Sequence, residues 1–209
     1  TALITVPSFL LRLIEFAEKN RIGLNSTNVQ KAICIGEPIR DSEFKLNALG
    51  KRITEKWNIK LFSTYASTEM ATAFTECPEG KGGHHHPELI IAELLDKNEN
   101  PVSEGELGEV TISTLGVEGM PLLRFKTGDI SFIIEAPCSC GRKSIRLGPI
   151  LGRKKQMMKV HGTTFYPQAI YSCLEQIKGI SEYYIRVSSS SSLSDNIEIY
   201  VAVTNPTCT

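Results

Sequence analysis

ALITVPSFLLRLIEFA, residues 2–17, is the stretch on which the fold turns. Ala2 to Val6 reads as a short apolar strand. Pro7-Ser8 then opens a helix, because proline's fixed φ and missing N–H suit a first helical turn. Phe9, Leu10, Leu13, Ile14 and Ala17 fall on one face of that helix. The same succession follows downstream. Ala32 to Ile35 is a second apolar strand, stopped by Gly36-Glu37-Pro38. A helix from about Asp41 carries a core stripe of Leu46, Leu49, Ile53 and Trp57, and Ile59 to Tyr65 is a third strand. Strand and helix alternating at this spacing predict a parallel, doubly wound α/β sheet. Ligands of such sheets collect outside the carboxyl ends of the strands. Gly36-Glu37-Pro38 and Tyr65-Ala66-Ser67-Thr68-Glu69 would both lie there.

The pattern changes after residue 80. Leu89 to Leu95, Glu109 to Ser113 and Ile130 to Ile134 read as strands without long helices between them, separated by turn clusters such as Asp96 to Gly108. This predicts an antiparallel or barrel-like subdomain. A polar break, Gly152-Arg153-Lys154-Lys155, suits a linker, so the chain divides into 1–152 and 153–209. In the second part Tyr166-Pro167 starts a helix through about Ile177. Tyr183 to Val187 and Ile197 to Val203 alternate as strands, and the low-complexity run Ser188 to Ser192 reads as a loop.

Composition narrows the function classes. Hydrophobic residues make up 41% and charged residues 22%, enough apolar material for a real core. Lys plus Arg and Asp plus Glu both number 23, so no bulk charge argues for nucleic acid, and none is expected as a partner. No apolar run approaches the roughly 20 residues of a membrane helix, and no basic segment precedes the apolar N-terminus as a signal peptide would require. The six cysteines are irregularly spaced for a disulfide framework. Cys34 and Cys173 read as core thiols, and a reducing cytoplasm is expected.

Four segments carry chemistry. In MPLLRFKTGD, residues 120–129, Leu122, Leu123 and Phe125 read as a buried strand that Thr127-Gly128-Asp129 breaks into a turn. Asp129 there could accept hydrogen bonds from two neighbouring hydroxyls, as a ribose offers. Arg124 and Lys126 would suit a phosphate. Thr68 and Glu69 could hold a phosphate and its Mg²⁺; alternatively Ser67 or Thr68 caps a helix. Arg153 could hydrogen-bond a ligand and Lys155 serve as a hinge, or the basic run is a solvated linker. Finally, Cys77, Cys138 and Cys140 with one histidine would make a tetrahedral Zn²⁺ site. His84, directly after Gly82-Gly83, is the first choice and His86 the alternative; unrelated surface thiols are the other reading.

Together these segments resemble the adenylate-forming superfamily of acyl- and aryl-CoA synthetases, in its phenylacetate-CoA ligase branch. GEP (36–38), YASTE (65–69), EGELGEV (104–110), MPLLRFKTGD (120–129), CSCGR (138–142), GRKKQMMKVHG (152–162) and FYPQAI (165–170) follow in matching order. The resemblance implies that 1–152 is the C-terminal portion of a large AMP-binding domain and 153–209 part of a small α+β domain. It also implies an AMP-forming ligase reaction: acid, ATP and coenzyme A give acyl-CoA, AMP and pyrophosphate. Gly36, Glu37 and Pro38 would line the adenine pocket with Tyr65 near the base. Thr68 would contact phosphate, Glu69 would ligate Mg²⁺, and Asp129 and Arg153 would hold the ribose. Lys155 would stand at the hinge, and Lys159 and Gly162 would line the pantetheine tunnel. The branch has a similar Cys, Gly-x-His and C-x-C pattern, which strengthens the zinc reading. An aryl-acetate type of acid is implied as substrate, and a homodimer is a candidate assembly.

Departures from the pattern set further expectations. The family's Ser/Thr/Gly-rich phosphate loop and its C-terminal lysine are absent from these 209 residues, and Ala66 replaces a usual glycine. The chain is therefore expected to be a piece of a longer ligase that releases no AMP by itself. A nucleotide-binding, zinc-stabilised module without catalysis, and AMP transfer to an acceptor other than coenzyme A, are the competing readings.

Overall fold

The computed structural model describes residues 1–161, 163–174, 176–177, 179–189 and 194–203; Gly162, Cys208 and serines 190–192 lie outside them. The chain forms two compact units, Thr1–Leu151 and Gly152–Thr209.

The first unit starts with β1 (Ala2–Thr5), α1 (Pro7–Lys19), β2 (Lys31–Cys34), α2 (Ala48–Lys56) and β3 (Lys60–Ala66). β1 pairs parallel with β2, and β2 with β3. Pro7 occupies the first turn of α1 after an extended Val6. The buried stripe of α1 is Leu10, Ile14 and Ala17; Phe9 and Leu13, expected beside them, are exposed. The second helix starts later than expected. The Asp41 Oδ1 atom accepts the amides of Glu43 and Lys45, each at 3.0 Å, and holds that segment in a turn. Asn47 caps the helix by accepting the Gly50 amide at 2.9 Å. Ile53 and Trp57 are buried, and Leu46 and Leu49 pack at the edge of the same core.

The doubly wound expectation needs correction. Strand order follows chain order, and right-handed crossovers then put both helices on one face of the sheet. A Lys56–Glu18 ion pair of 2.8 Å joins the helices to each other. The sheet continues antiparallel through β4 (Ala73–Glu76), β5 (Gly83–His84), β10 (Arg146–Leu147) and β9 (Ile133–Ile134). β3 thus changes partner along its length. Cys34 faces Ser63 in the parallel ladder, and Thr64 faces Thr75 in the antiparallel one.

A second antiparallel sheet holds β6 (Ile90–Leu95), β7 (Gly108–Thr114) and β8 (Phe125–Ser131) in that order. Ile90, Leu94, Val110 and Ile112 join Met70, Phe74 and Leu147 in its core. The strand expected to end at Phe125 instead begins there, and Leu123 is 87% exposed. Thr127-Gly128-Asp129 is a bulge, not a turn. Glu109 faces Ile130 and Thr111 faces Lys126, so three residues of β8 oppose Val110 alone. The Thr127 hydroxyl closes the bulge by donating to the Val110 carbonyl at 2.9 Å and accepting the Asp129 amide at 3.1 Å. Gly128 has φ +79°, a conformation that glycine adopts without strain.

In the second unit β11 (Gly152–Arg153) precedes a short turn, Lys154–Gln156. The hairpin β12 (Met158–Val160) and β13 (Thr163–Phe165) leads to α3 (Pro167–Leu174), which stops short of Ile177. β14 (Ile180–Ser189) and β15 (Asp195–Val203) form a longer antiparallel pair than expected. Cys173, read as a core thiol, is exposed, whereas Cys34 is fully buried. Among the described residues no helix is long and apolar enough to cross a membrane.

Candidate nucleotide edge and metal centre

Because β2 and β3 are parallel neighbours, Gly36-Glu37-Pro38 and Tyr65–Glu69 leave the sheet at the same edge. Gly36 turns the chain with φ +80°. The Glu37 carboxylate is engaged at the start of α1, where it accepts the Ser8 amide at 2.8 Å and the Ser8 hydroxyl at 2.9 Å. An anion there complements the unpaired N–H groups of the first turn. The surface left for a ligand on this turn is its backbone and Pro38.

No helix follows Tyr65-Ala66-Ser67-Thr68-Glu69, so the capping alternative fails. Ser67 to Met70 is a tight turn, closed by the Met70 amide on the Ser67 carbonyl at 3.3 Å, that leads back into β4. Thr68 and Glu69 are exposed on it. The backbone amide of Glu69 holds its own carboxyl below the usual carboxylate range.

Asp129 comes to the same edge from the other sheet. The bulge in β8 aims its carboxylate at Tyr65, whose hydroxyl donates to Oδ2 at 2.9 Å. Arg124 and Lys126, expected to serve a phosphate, are paired elsewhere. Arg124 makes two 3.1 Å bonds to Glu93, and Lys126 bonds Glu99, all at the exposed face of the sheet. In the second unit Arg153, Lys155 and Lys159 are all exposed. The Lys159 amide donates to Asp195 Oδ2 at 2.7 Å, fixing the start of β15 against β12.

The cysteines and His84 converge. The Sγ atoms of Cys77, Cys138 and Cys140 and a ring nitrogen of His84 all lie within 4.8 Å of one another. The Cys77 and Cys138 sulfurs are 3.7 Å apart, and His84 Nε2 is 3.4 Å from the Cys140 sulfur. A tetrahedral zinc with Zn–S of about 2.3 Å and Zn–N of about 2.0 Å requires about 3.8 Å and about 3.5 Å for those two separations. The donor set therefore fits Zn²⁺ in kind and in spacing. His84 is buried and its Nδ1 has no hydrogen-bond partner among the described residues. His86, the alternative ligand, is exposed and paired with Glu88 at 3.1 Å. Burial holds the His84 ring below the ordinary histidine range, so it stays neutral and able to ligate.

Local sequence builds this cluster. The Gly80 amide bonds the Cys77 carbonyl and the Gly141 amide bonds the Cys138 carbonyl, each at 3.0 Å, so both cysteine segments are tight turns. A Cβ on Gly83 would sit 2.5 Å from the Phe74 carbonyl oxygen, so only glycine lets β5 deliver His84. Sequence reasoning did not foresee Arg146, which is buried and donates to the Lys81 carbonyl at 2.6 Å and the Ala136 carbonyl at 2.8 Å. It clamps the two ligand-bearing loops together. Nor did it foresee the ion pair Arg40–Glu76, whose carboxylate is buried. A lone arginine or glutamate carries no sequence signal of its partner.

Known proteins share this architecture. No protein-family model matches the chain. It is 30% identical over 204 residues to phenylacetate-coenzyme A ligase of Thermus thermophilus, covering 96% of this chain and 44% of that protein. It is 26% identical to phenylacetate-coenzyme A ligase of Pseudomonas putida, covering 95% of this chain and 44% of the relative. Among solved structures, 2-hydroxyisobutyryl-CoA ligase in the postadenylation state in complex with R3-HIB-AMP superposes with a TM-score of 0.80. That match is 25% identical and covers 96% of this chain and 42% of that one. In fold and in sequence the chain resembles these coenzyme A ligases. The chain spans less than half the length of the phenylacetate-coenzyme A ligases it matches.

Proposed function

We propose that the whole protein is an AMP-forming carboxylate–coenzyme A ligase and that this chain supplies much of its adenosine-binding edge and a structural zinc centre. The observation that carries the reading is the hydrogen bond from Tyr65 to Asp129, which joins two distant segments at the edge where Gly36-Glu37-Pro38 and Thr68-Glu69 emerge. Asp129 accepts the ribose hydroxyls. The turn at Gly36, Glu37 and Pro38 meets the adenine, and Tyr65 lies beside it. Thr68 donates to the phosphate and Glu69, kept ionised, ligates Mg²⁺. Lys155 acts as the hinge, and Lys159 serves the pantetheine arm. Turnover then rests on positioning and on charge stabilisation at phosphorus.

Cys77, His84, Cys138 and Cys140 hold zinc through all four of its positions, which makes the site structural and leaves no position for a reacting group. Thiolate ligands of this kind suit a reducing cytoplasm. The acid is of the aryl-acetate type named in the relatives. ATP–pyrophosphate exchange on the full protein, with a panel of carboxylates and with and without coenzyme A, tests the assignment. Exchange that depends on a carboxylate, followed by thioester formation, is expected. Exchange without thioester would point to another AMP acceptor, and nucleotide binding without exchange to a non-catalytic module.

A further inference from the structure

Glu76 lies one residue before Cys77, at the end of β4, and its side chain is only 3% exposed. Its Oε1 accepts Arg40 Nε at 2.6 Å and its Oε2 accepts the Ser63 amide at 3.0 Å. Ser63 stands where β3 leaves β2 and takes up β4, two residues before Tyr65. Arg40 belongs to the turn that follows Gly36-Glu37-Pro38 and is itself mostly buried. Its Nη1 donates to the Phe44 carbonyl at 3.0 Å. Its Nη2 lies against Gly80, where a Cβ would be 2.7 Å away. One carboxylate thus bonds the turn after β2 and the middle of β3, and the arginine it holds rests on the ligand loop Cys77–Gly80.

We propose that Glu76 is a positioning residue through which the metal centre sets the turn at Gly36–Arg40. A metal that fixes Cys77 fixes the backbone of Glu76 and the Gly80 surface on which the Arg40 guanidinium rests. Arg40 in turn fixes the segment that leads out of Gly36-Glu37-Pro38. Burial of Glu76 enforces the linkage, because withdrawal of Arg40 would strand its carboxylate out of water. The coupling itself is independent of what the turn binds; its value for a nucleotide rests on the ligase reading.

Hydrogen–deuterium exchange on the full protein, metal-loaded and chelator-stripped, reads residues 35–41 directly. Stripping the unaltered protein should speed exchange there on the order of tenfold, the size of coupling that neighbouring groups show. In Glu76→Gln, exchange should already be fast with metal bound, and stripping should add less than about twofold. Cobalt(II) absorption reports a filled centre in the variant, and Trp57 fluorescence reports a folded α/β core. Arg40→Gln should reproduce the result from the other side and decides the matter if Glu76→Gln does not fold. Exchange at 35–41 that ignores stripping, or that rises equally in variant and unaltered protein, overturns the proposal. AMP separates the two readings: coupling without AMP protection of 36–38 sinks the nucleotide assignment and leaves Glu76 in its role.

Discussion

The Tyr65 hydroxyl donates to Asp129 Oδ2 across 2.9 Å, although the two residues are 64 positions apart. The bond ties the end of β3 to the bulge of β8 and orients the carboxylate assigned to the ribose. Asp129→Asn keeps the shape but loses an ionised acceptor. A charged hydrogen bond contributes about 1.5–3 kcal/mol, so AMP affinity should fall roughly 10- to 100-fold. Tyr65→Phe removes only the orienting donor and should cost a few-fold. Titration calorimetry with AMP checks both, and a Tyr65→Phe effect as large as that of Asp129→Asn would contradict this division of labour.

Zinc binding has a sharp discriminator in the neighbouring histidines. Protein prepared without chelator should carry about one zinc per chain, as a single tetrahedral centre implies. Cys138→Ser and His84→Ala should lose it and melt earlier, because such a centre contributes folding free energy directly. His86→Ala should keep both metal and melting temperature, since the exposed His86 ring bonds Glu88. Elemental analysis beside thermal melts reads all three.

Cys34 offers a pH test away from the metal. Burial, then the charge of Glu76, pushes its thiol up from 9.0 to about 12. The unfolded chain releases that proton near pH 9, so the folded state is favoured below pH 9 and loses this advantage as pH rises toward 12. The loss approaches about 1.4 kcal/mol per pH unit at most. Urea melts of Cys34→Ala should show a shallower decline above pH 9 than the parent. Alkylation at pH 8 should label exposed Cys173 and spare Cys34.

Two glycines should fail for different reasons. Gly128→Ala meets nothing within 4 Å but keeps φ at +79°, which costs about 1–2 kcal/mol. Gly83→Ala drives a methyl group into the Phe74 carbonyl, and should cost more than about 3 kcal/mol and release the metal. Chemical denaturation with metal analysis separates strain from collision.

Arg124 and Lys126 provide a negative control. Their partners Glu93 and Glu99 lie at the protein surface, where such pairs contribute about 0–1 kcal/mol. Arg124→Gln and Lys126→Gln should leave AMP affinity within about twofold, since neither side chain is assigned to the nucleotide. A drop of tenfold in calorimetry would return them to the phosphate.

The strands and helices of the α/β half were legible because apolar periodicity and Pro7 act locally. Legibility ended where geometry depends on distant partners. Asp41 looks like a helix start, and only its bonds to Glu43 and Lys45 reveal a turn. Thr127-Gly128-Asp129 looks like punctuation at a strand end, and only pairing with β7 turns it into a bulge. Cys77, Cys138 and Cys140 could be grouped by chemistry, and His84 preferred over His86 by its place after Gly82-Gly83; that β5 turns this ring inward is a matter of strand pairing. Arg40 and Glu76, 36 residues apart, offered no pattern at all.

The change of partner halfway along β3 bears on how such chains can vary. An added or deleted residue between Ser67 and Ala71 would shift the β4 register by one and turn both Phe74 and Glu76 to the other face of the sheet. Length there is pinned even where residue identity is free. The stretch from Asp96 to Leu107 joins two strands whose register is held by their own ladder, so an added residue in that crossing would leave the pairing as it is.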